Sequence, residues 1–401
     1  MASAQNMDDT AARRSEKPRG RNVSNIIREF GQVDRPFMII VILLVSVGSI
    51  LVFSASYANA ESRFGDSYYF VKSQIKYILV GLPAMVITAR FADTRLLKRY
   101  AWAIFGLALV LCYAIRLVPG IGIESHGAYR WINLYFFQFQ PSELLKLSII
   151  LVCARYISDN QGRMRTMKYG FLPFAVIAIP VVGAMLLQKH LSGTIICCLI
   201  LFFMMYVGGT HPTLLTSLCA VGALGAGILF TVFEHAQQRL MIWRDPFSFM
   251  SVASGGKGWQ PAQSLYAISS GGFWGLGLGN SNQKHSFLPE PQNDYIFAIG
   301  CEELGFLGAS LIIVLYMLFA WRGFVIARNS KDRFGSLIVL GLVFKTMAHV
   351  ILNIAVVTNT IPSTGITLPF MSYGGSSLVM QLVEMGIILS VSRYSYSSRE
   401  A

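Results

Sequence analysis

Ten long apolar segments, separated by polar stretches, dominate the pattern of this 401-residue chain. They cover approximately residues 37–56, 75–92, 99–117, 143–158, 170–187, 192–209, 213–233, 295–320, 336–357 and 376–393. Each is close to the length that crosses a bilayer as a helix. The apolar positions run continuously rather than alternating, which argues against a β-barrel. The pattern predicts an all-α, polytopic membrane protein with about ten transmembrane helices.

The composition and the charge distribution support this prediction and orient it. The chain is 54% hydrophobic and only 13% charged, whereas soluble domains are about 25% charged. With ten spans both termini share one side, and about two thirds of the Lys and Arg residues fall on that side. The positive-inside rule therefore places both termini in the cytoplasm. The net charge of +13 is then a topology and anionic-lipid signal, not a sign of nucleic-acid binding.

Two regions follow from this layout. The sequence predicts that residues 1–35 form a disordered basic cytoplasmic tail with no cleavable signal peptide and that residues 36–395 form one integral membrane domain. The largest outer loop runs from about 234 to 294, between helices 7 and 8, and a re-entrant or interfacial helix is expected near 261–270. All six cysteines lie in apolar segments without metal-ligand spacing, so we expect small buried hydrophobes.

Asp294 is the first candidate for chemistry, because it lies between a proline-containing loop (LPEPQN) and the eighth apolar segment. A carboxylate beside apolar residues should have a raised pKa, which suits a general base. Asp is also a good helix N-cap, so the residues alone allow a catalytic or a capping role. Glu290 in the same loop has the same two interpretations.

Two motifs place cations near the start of the fourth segment. In QPSELLK, Glu143 and Lys146 are three residues apart and share a helix face, so Lys146 should pair with an acid or face a polar cavity. In GAYRWI, Arg130 could hold a phosphate, while Trp131 could stack on a sugar or lie in the membrane interface.

The last outer loop contains the sequence SYGGSS, in which glycine and serine offer backbone donors to an anion such as pyrophosphate. The alternative is a simple turn before the last helix. Its candidate binding residues are Ser372, Tyr373, Gly374, Gly375 and Ser376.

Several charges lie inside apolar segments. Glu302 and Glu303 fit either an ion pathway or a buried polar pair held by neighbouring helices. Lys345 and His349 share a face of the ninth segment, and Glu384 in the tenth could pair with Lys345.

These motifs together resemble the FtsW/RodA/SpoVE family of bacterial membrane proteins, also called the SEDS proteins. The resemblance runs from the first apolar segment to Arg393. It is carried, in the family's order, by GAYRWI (127–132), QPSELLKL (140–147), GLGLGNSNQKHSFLPEPQNDYIFAIGCEELG (275–305) and NIAVVTNTIPSTGITLPFMSYGGSSL (353–378). The NSNQK and LPEPQND sequences are most similar to those of the division and sporulation branch.

The resemblance implies a multi-pass protein of the bacterial cytoplasmic membrane that polymerises lipid II into glycan strands at the outer face. It also implies a class B penicillin-binding protein transpeptidase and other division or sporulation membrane proteins as partners. The family's essential carboxylate falls on Asp294, its Trp on Trp131, and its Glu and Lys on Glu143 and Lys146.

The chain departs from the family pattern at three positions. His190 stands where the family has Asp in a short outer turn, which puts any role carried over to that position in doubt. His349 and Asn359 stand where Gln and Gly are common.

The implied reaction is an inverting transfer from an undecaprenyl pyrophosphate-linked donor, with Asp294 as general base. No cofactor is evident, and a divalent cation (Mg²⁺ or Mn²⁺) could assist although no ligand spacing indicates one. Two other functions stay open, a lipid II flippase and a non-catalytic scaffold of the division complex. Candidates for binding substrate or stabilising the leaving group are Trp131, Arg130, Lys146, Glu143, Arg239, Glu290, Gln292 and the residues 372–376.

Overall fold

The computed structural model describes residues 33–118, 120–125, 128–133, 138–232, 234–251, 256, 258–285 and 287–393. The tail predicted to be disordered lies almost wholly outside these residues, as do Gly127 and part of the large loop.

Helices dominate the described residues, and one occupies each of the ten predicted segments. In chain order the elements are α1 Arg35–Phe64, α2 Tyr69–Phe91, α3 Thr94–Leu117, β1 Gly122–Ser125, β2 Ala128–Asn133, β3 Gln138–Phe139, α4 Pro141–Asp159, α5 Met167–Gly170, α6 Leu172–Leu187, α7 Leu191–Gly208, α8 Pro212–Val232, α9 Glu234–Arg244, a 3-10 turn Phe247–Phe249, α10 Trp259–Gly271, α11 Ile296–Asn329, α12 Arg333–Val357 and α13 Gly375–Arg393. Within the described residues, eight helical segments are long and apolar enough to cross a membrane: α1, α2, α3, α5 with α6, α7, α11, α12 and α13. The molecule is therefore a mostly helical, polytopic membrane protein.

The all-α prediction needs one correction, because the segment between α3 and α4 forms a small antiparallel sheet of order β1-β2-β3. The register pairs Ile123 with Trp131 and Ile132 with Phe139. Aromatic and β-branched residues favour extended backbone, and this short run lacks the length of a helix. The sheet matters for function because it carries Arg130 and Trp131.

A bidentate ion pair fixes one end of the bundle. Asp34 caps α1 by accepting from Phe37 N at 2.9 Å, and its carboxylate also accepts from Arg322 Nη2 at 2.8 Å. Its backbone N–H donates to Ser392 Oγ at 3.1 Å, so the start of α1 meets the end of α13. Since α13 has 19 residues, its own start lies about 28 Å away, at the opposite end of the bundle.

The predicted eighth span is interrupted at Gly305, whose backbone (φ 67°, ψ −169°) is not helical. The loop after α10 fits into this interruption. The N–H groups of Leu276 and Gly277 donate to the carbonyls of Glu302 and Glu303 at 3.0 and 2.9 Å. α10 occupies the segment in which a re-entrant or interfacial helix is predicted, and the chain after it is bound to α11 by backbone hydrogen bonds.

The two buried glutamates anchor the same loop. Glu303 accepts from Lys284 Nζ at 2.8 Å and from Ser54 Oγ at 2.6 Å, and both side chains of the ion pair are fully buried. Glu302 accepts from Asn282 N at 2.9 Å and from the hydroxyl of Ser281. Buried carboxylates need such donors, so the geometry favours the buried polar pair over an ion pathway.

The expectation of buried cysteines is confirmed for Cys112, Cys153, Cys197 and Cys301 but is wrong for Cys198 and Cys219, which are exposed. Successive helical residues lie about 100° apart, so burying Cys197 in α7 turns Cys198 outward.

Candidate active site

A cavity of about 630 Å³, which we call the central cavity, opens at the end of the bundle where α13 begins. Its walls come from β2, from the first turns of α4, α7 and α13, and from the loops before α11 and α13. It brings together eleven of the predicted site residues, which are Arg130, Trp131, Glu143, Lys146, Glu290, Asp294, Ser372, Tyr373, Gly374, Gly375 and Ser376.

Asp294 lies in the wall of this cavity, two residues before α11. Burial raises its pKa to about 6, the charge of Glu290 adds to the rise, and Arg130 opposes it. The N-cap of α11 is Tyr295, and no side-chain hydrogen bond caps the helix. The capping interpretation of Asp294 is therefore wrong, and its carboxylate is available for other work.

Two neighbours fix the position of Asp294. Asn353 Nδ2 donates to the carbonyls of Asp294 at 2.7 Å and of Ile366 at 2.6 Å, which joins the two loops. Gly365 has φ +69°, and a Cβ there would lie 3.3 Å from Asp294 Oδ2. The glycine thus permits the loop conformation and leaves the carboxylate room.

Arg130 and Trp131 reach the cavity from β2. Arg130 Nη2 donates to the carbonyl of Lys189 at 2.8 Å, and Lys189 has the unusual φ of 51°. Burial lowers the pKa of Arg130 while Asp294 opposes the change, and a guanidinium stays charged at neutral pH. Arg130 therefore supplies a positive charge on the same cavity as Asp294.

Glu143 and Lys146 form a buried ion pair in the first turns of α4, with Lys146 Nζ 2.6 Å from Glu143 Oε1. Lys146 Nζ is also 3.3 Å from His349 Nε2 of α12. The second oxygen of Glu143 is 3.6 Å from Lys345 Nζ, and Lys345 pairs with Glu384 of α13. The predicted pairing of Lys345 with Glu384 is confirmed.

Three helices direct their N-termini at the cavity. Gln140 precedes α4, His190 precedes α7, Gly374 precedes α13, and all three residues line the cavity. The first N–H groups of a helix have no partner within the helix, and the helix dipole favours an anion there. At the start of α13 the hydroxyl of Ser376 is buried, lines the cavity and has no hydrogen-bond partner among the described residues.

Three wall residues, His190, Tyr77 and Gly365, were not among the predicted site residues. Two of them gave a signal in the sequence, His190 as a departure from the family pattern and Gly365 as part of the motif at 353–378. Burial, together with the charges of Arg130 and Lys146, lowers the pKa of His190 to about 3. A neutral imidazole therefore stands where the resemblance expected a carboxylate.

Two predicted site residues do not line the cavity. Arg239 lies in α9 with an exposed side chain and donates to the carbonyl of Ser363 at 3.4 Å. Gln292 is buried and contributes its backbone carbonyl, which accepts from Tyr373 N at 2.8 Å. Gln292 therefore connects the loop of Asp294 to the loop before α13.

The donors around the cavity suit an anion better than a cation. Within the parts of the chain that the structure describes, no group of three or more His, Cys, Asp or Glu side chains is arranged to hold a metal ion. Three carboxylates lie on the wall, namely Asp294, Glu290 and Glu143, and Glu143 is paired with Lys146. Assistance by a divalent cation stays a prediction.

Comparisons with known proteins agree with the motifs. The family model described as "Cell cycle protein" (FtsW, RodA and SpoVE) matches residues 34–397. Stage V sporulation protein E of Bacillus subtilis is 37% identical over 373 residues, which cover 90% of this chain and 97% of that protein. The probable peptidoglycan glycosyltransferase FtsW of Trichlorobacter lovleyi is 35% identical over 363 residues, covering 90% and 93%.

Solved structures give the same fold. One, described as "Structural coordination of polymerization and crosslinking by a peptidoglycan synthase complex", superposes with a TM-score of 0.76 at 27% identity, covering 91% of this chain and 99% of that one. The rod shape determining protein RodA of Thermus thermophilus gives a TM-score of 0.65 at 26% identity, covering 91% and 98%. With a family model that matches nearly the whole membrane region, the chain belongs to the FtsW/RodA/SpoVE family of cell cycle proteins.

Proposed function

We propose that this protein is a peptidoglycan glycosyltransferase that polymerises lipid II at the outer face of the bacterial cytoplasmic membrane, in division or sporulation. The observation that carries the proposal is a carboxylate with a raised pKa, Asp294, in a cavity walled by Arg130, Lys146 and three helix N-termini. A base and an anion-stabilising surface in one cavity are what glycosyl transfer from a lipid pyrophosphate requires.

Charge and geometry together support the proposed outer location. The cavity opens at the end of α13 remote from Asp34, and Asp34 adjoins the start of the first span. The positive-inside rule assigns the start of the first span to the cytoplasm, so the cavity opens on the other face, and with ten spans both termini are cytoplasmic.

The proposed reaction is a single displacement. Asp294 removes the proton from the 4-hydroxyl of the acceptor's GlcNAc, and that oxygen forms a bond to C1 of the donor's MurNAc. The bond from C1 to the pyrophosphate oxygen breaks, and undecaprenyl pyrophosphate leaves with the electron pair. Attack from the opposite face converts an α-linkage to a β-linkage.

The other wall residues stabilise the charge of the leaving group, bind the sugar or tune the pKa of Asp294. Arg130, Lys146 and the N–H groups at the start of α13 stabilise the negative charge that develops on the leaving pyrophosphate. Trp131, half-buried on the wall, offers a ring for stacking on a sugar. Glu290 raises the pKa of Asp294, which favours proton uptake. Mg²⁺ or Mn²⁺, if bound, would add charge neutralisation at the pyrophosphate.

The flippase alternative drew its support from intramembrane charges. Lys284 pairs with Glu303 and Lys345 with Glu384, and each pair links neighbouring parts of the bundle. Charges held in such pairs serve packing and positioning, and a transport path needs groups that can exchange partners. We therefore favour the polymerase, with a class B penicillin-binding protein transpeptidase as its partner.

Purified protein with fluorescent lipid II, alone and with its cognate transpeptidase, tests the proposal. Wild type should form glycan polymer and Asp294→Ala should form none. Asp66→Asn is the matched control, since Asp66 is an exposed carboxylate 2.7 Å from Lys72 outside the cavity. Polymer from Asp294→Ala would end the assignment of the base. Transfer of lipid II across vesicles by wild type without any polymer would favour the flippase, and absence of both activities with partner binding intact would favour the scaffold.

A further inference from the structure

Lys345 and Glu384 lie behind the central cavity. Lys345 contacts two residues that line it, Glu143 through its side chain and His349 through its backbone carbonyl. Lys345 is 2% exposed and Glu384 is fully buried. They extend the ion pair of Glu143 and Lys146 into a line of alternating charges that runs Lys146, Glu143, Lys345, Glu384. The line joins α4, α12 and α13.

The line carries two positive and two negative charges, so it places no net charge within the membrane. Burying four ions is costly, and hydrophobic residues of similar size could replace a buried pair without loss of stability. Stability alone does not account for Lys345 and Glu384, which invites a role in the site itself.

His349 is a second hydrogen-bond partner of Lys146. Its Nδ1 lies 2.8 Å from the carbonyl of Lys345, and a carbonyl can only accept, so Nδ1 carries the hydrogen. Nε2 then has a lone pair and accepts from Lys146 Nζ at 3.3 Å. An ammonium group has three N–H donors, and Glu143 and His349 take two of them.

We propose that Lys345 and Glu384 are positioning residues for glycosyl transfer. Lys345 holds the second oxygen of Glu143, and Glu384 holds Lys345. Glu143 in turn fixes Lys146 so that its third N–H is presented to the cavity, where a phosphate oxygen of the lipid-linked substrate would accept it. This inference rests on the proposed function.

The test compares three variants in which the pair is broken, removed or reversed. In Lys345→Met, Glu384 is left buried without a partner. In Lys345→Met/Glu384→Met, both charges are removed and an apolar contact replaces them. In Lys345→Glu/Glu384→Lys, the ion pair is kept, but an anion now stands beside Glu143. Leu342→Met, a buried apolar change one turn away in α12, is the matched control.

If the pair only holds the helices together, the double variants should fold and polymerise like wild type. We expect instead that both double variants fold and lose at least about tenfold in kcat, since small displacements of a catalytic group are costly. The apolar pair should keep a thermal midpoint near that of wild type, whereas the reversed pair should unfold at a lower temperature, because it brings two carboxylates together. KM should change by less than about threefold, because the rest of the cavity still binds substrate. Inhibition by inorganic pyrophosphate should weaken in both double variants and not in Leu342→Met.

Wild-type turnover in the reversed pair would overturn the proposal, as would unchanged kcat and pyrophosphate inhibition in the apolar pair. If the apolar pair fails to fold, the reversed pair still decides the matter. Failure of the proposed function itself would look different, because wild type would bind lipid II without forming polymer. Binding of labelled lipid II and its displacement by pyrophosphate would then compare the same variants.

Discussion

Replacing Asp294 by Asn should abolish polymerisation and at the same time stabilise the protein. The carboxyl of Asp294 binds its proton more tightly in the folded protein, where its pKa is about 6, than in the unfolded chain, where it is 3.8. Folding stability therefore falls as the pH rises from about 4 to about 6 and is constant above that range. This difference in pKa corresponds to about 3 kcal/mol at neutral pH.

Asparagine has the same shape and no charge to bury, so Asp294→Asn should recover much of that free energy. The gain should be up to about 3 kcal/mol at pH 7.5, about half of that at pH 5, and less than about 1 kcal/mol at pH 4. Because no side-chain cap on α11 is lost, nothing in the helix start offsets the gain.

The assay is thermal or denaturant unfolding in detergent micelles at these three pH values, beside polymerisation of fluorescent lipid II. Asp66→Asn is again the control and should leave activity unchanged and lower stability only slightly, at every pH, because an exposed ion pair contributes little. An Asp294→Asn protein that is less stable than wild type at pH 7.5, or whose gain does not shrink toward pH 4, would refute the assignment of a raised pKa. An inactive Asp294→Asn protein with no gain in stability would show that the carboxylate is needed for activity but that burying its charge costs no stability.

Three further outcomes follow from the same geometry. Because the base must be deprotonated, kcat/KM should fall about tenfold between pH 7 and pH 5 in initial-rate measurements, and a flat profile would contradict a base with a pKa of about 6. Gly365→Ala should lower both the thermal midpoint and the polymerisation rate. A backbone φ of +69° costs an L-residue about 1–2 kcal/mol, and the new Cβ would lie 3.3 Å from Asp294 Oδ2. Wild-type values for both measurements would refute the steric argument. Lys284→Met should lower the free energy of unfolding by about 3–5 kcal/mol, because it leaves Glu303 buried without its ion-pair partner. Lys284→Met/Glu303→Met should recover most of this loss. Equal stability of wild type and the single variant would show that the pair contributes nothing.

The helical layout could be predicted from the sequence because each span is a long, continuous apolar run. Charges within the apolar segments were also informative, because a buried Lys345 needs an acidic partner and Glu384 was the candidate on a neighbouring helix. The small sheet was missed because β1 and β3 have only four and two residues. The interruption at Gly305 was missed because its cause lies elsewhere, in a loop that inserts its backbone there.

The cavity itself could be predicted only in part. Asp294 and Lys146 were found because charge next to apolar sequence is expensive and therefore informative. Asn353 and Gly365 act through backbone carbonyls and steric room, which leave no mark in the pattern of polar and apolar positions. The prediction for Arg239 was wrong for the opposite reason, since the side chain of an exposed arginine is held by few contacts and its charge alone does not locate it.

For the proposed reaction, the site has to hold an anion at the edge of a bilayer, where a cluster of uncompensated cations would be costly to fold. The structure supplies the necessary field in a different way. Lys146 is compensated by Glu143, while the N-termini of α4, α7 and α13 add partial positive charge that is built into the backbone and adds no ionised group. Such dipoles are fixed before the substrate arrives, so they cost no reorganisation when charge moves onto the pyrophosphate. It follows that salt should affect kcat less than it affects binding of the anionic substrate, because screening acts on exposed charges and only weakly on buried dipoles.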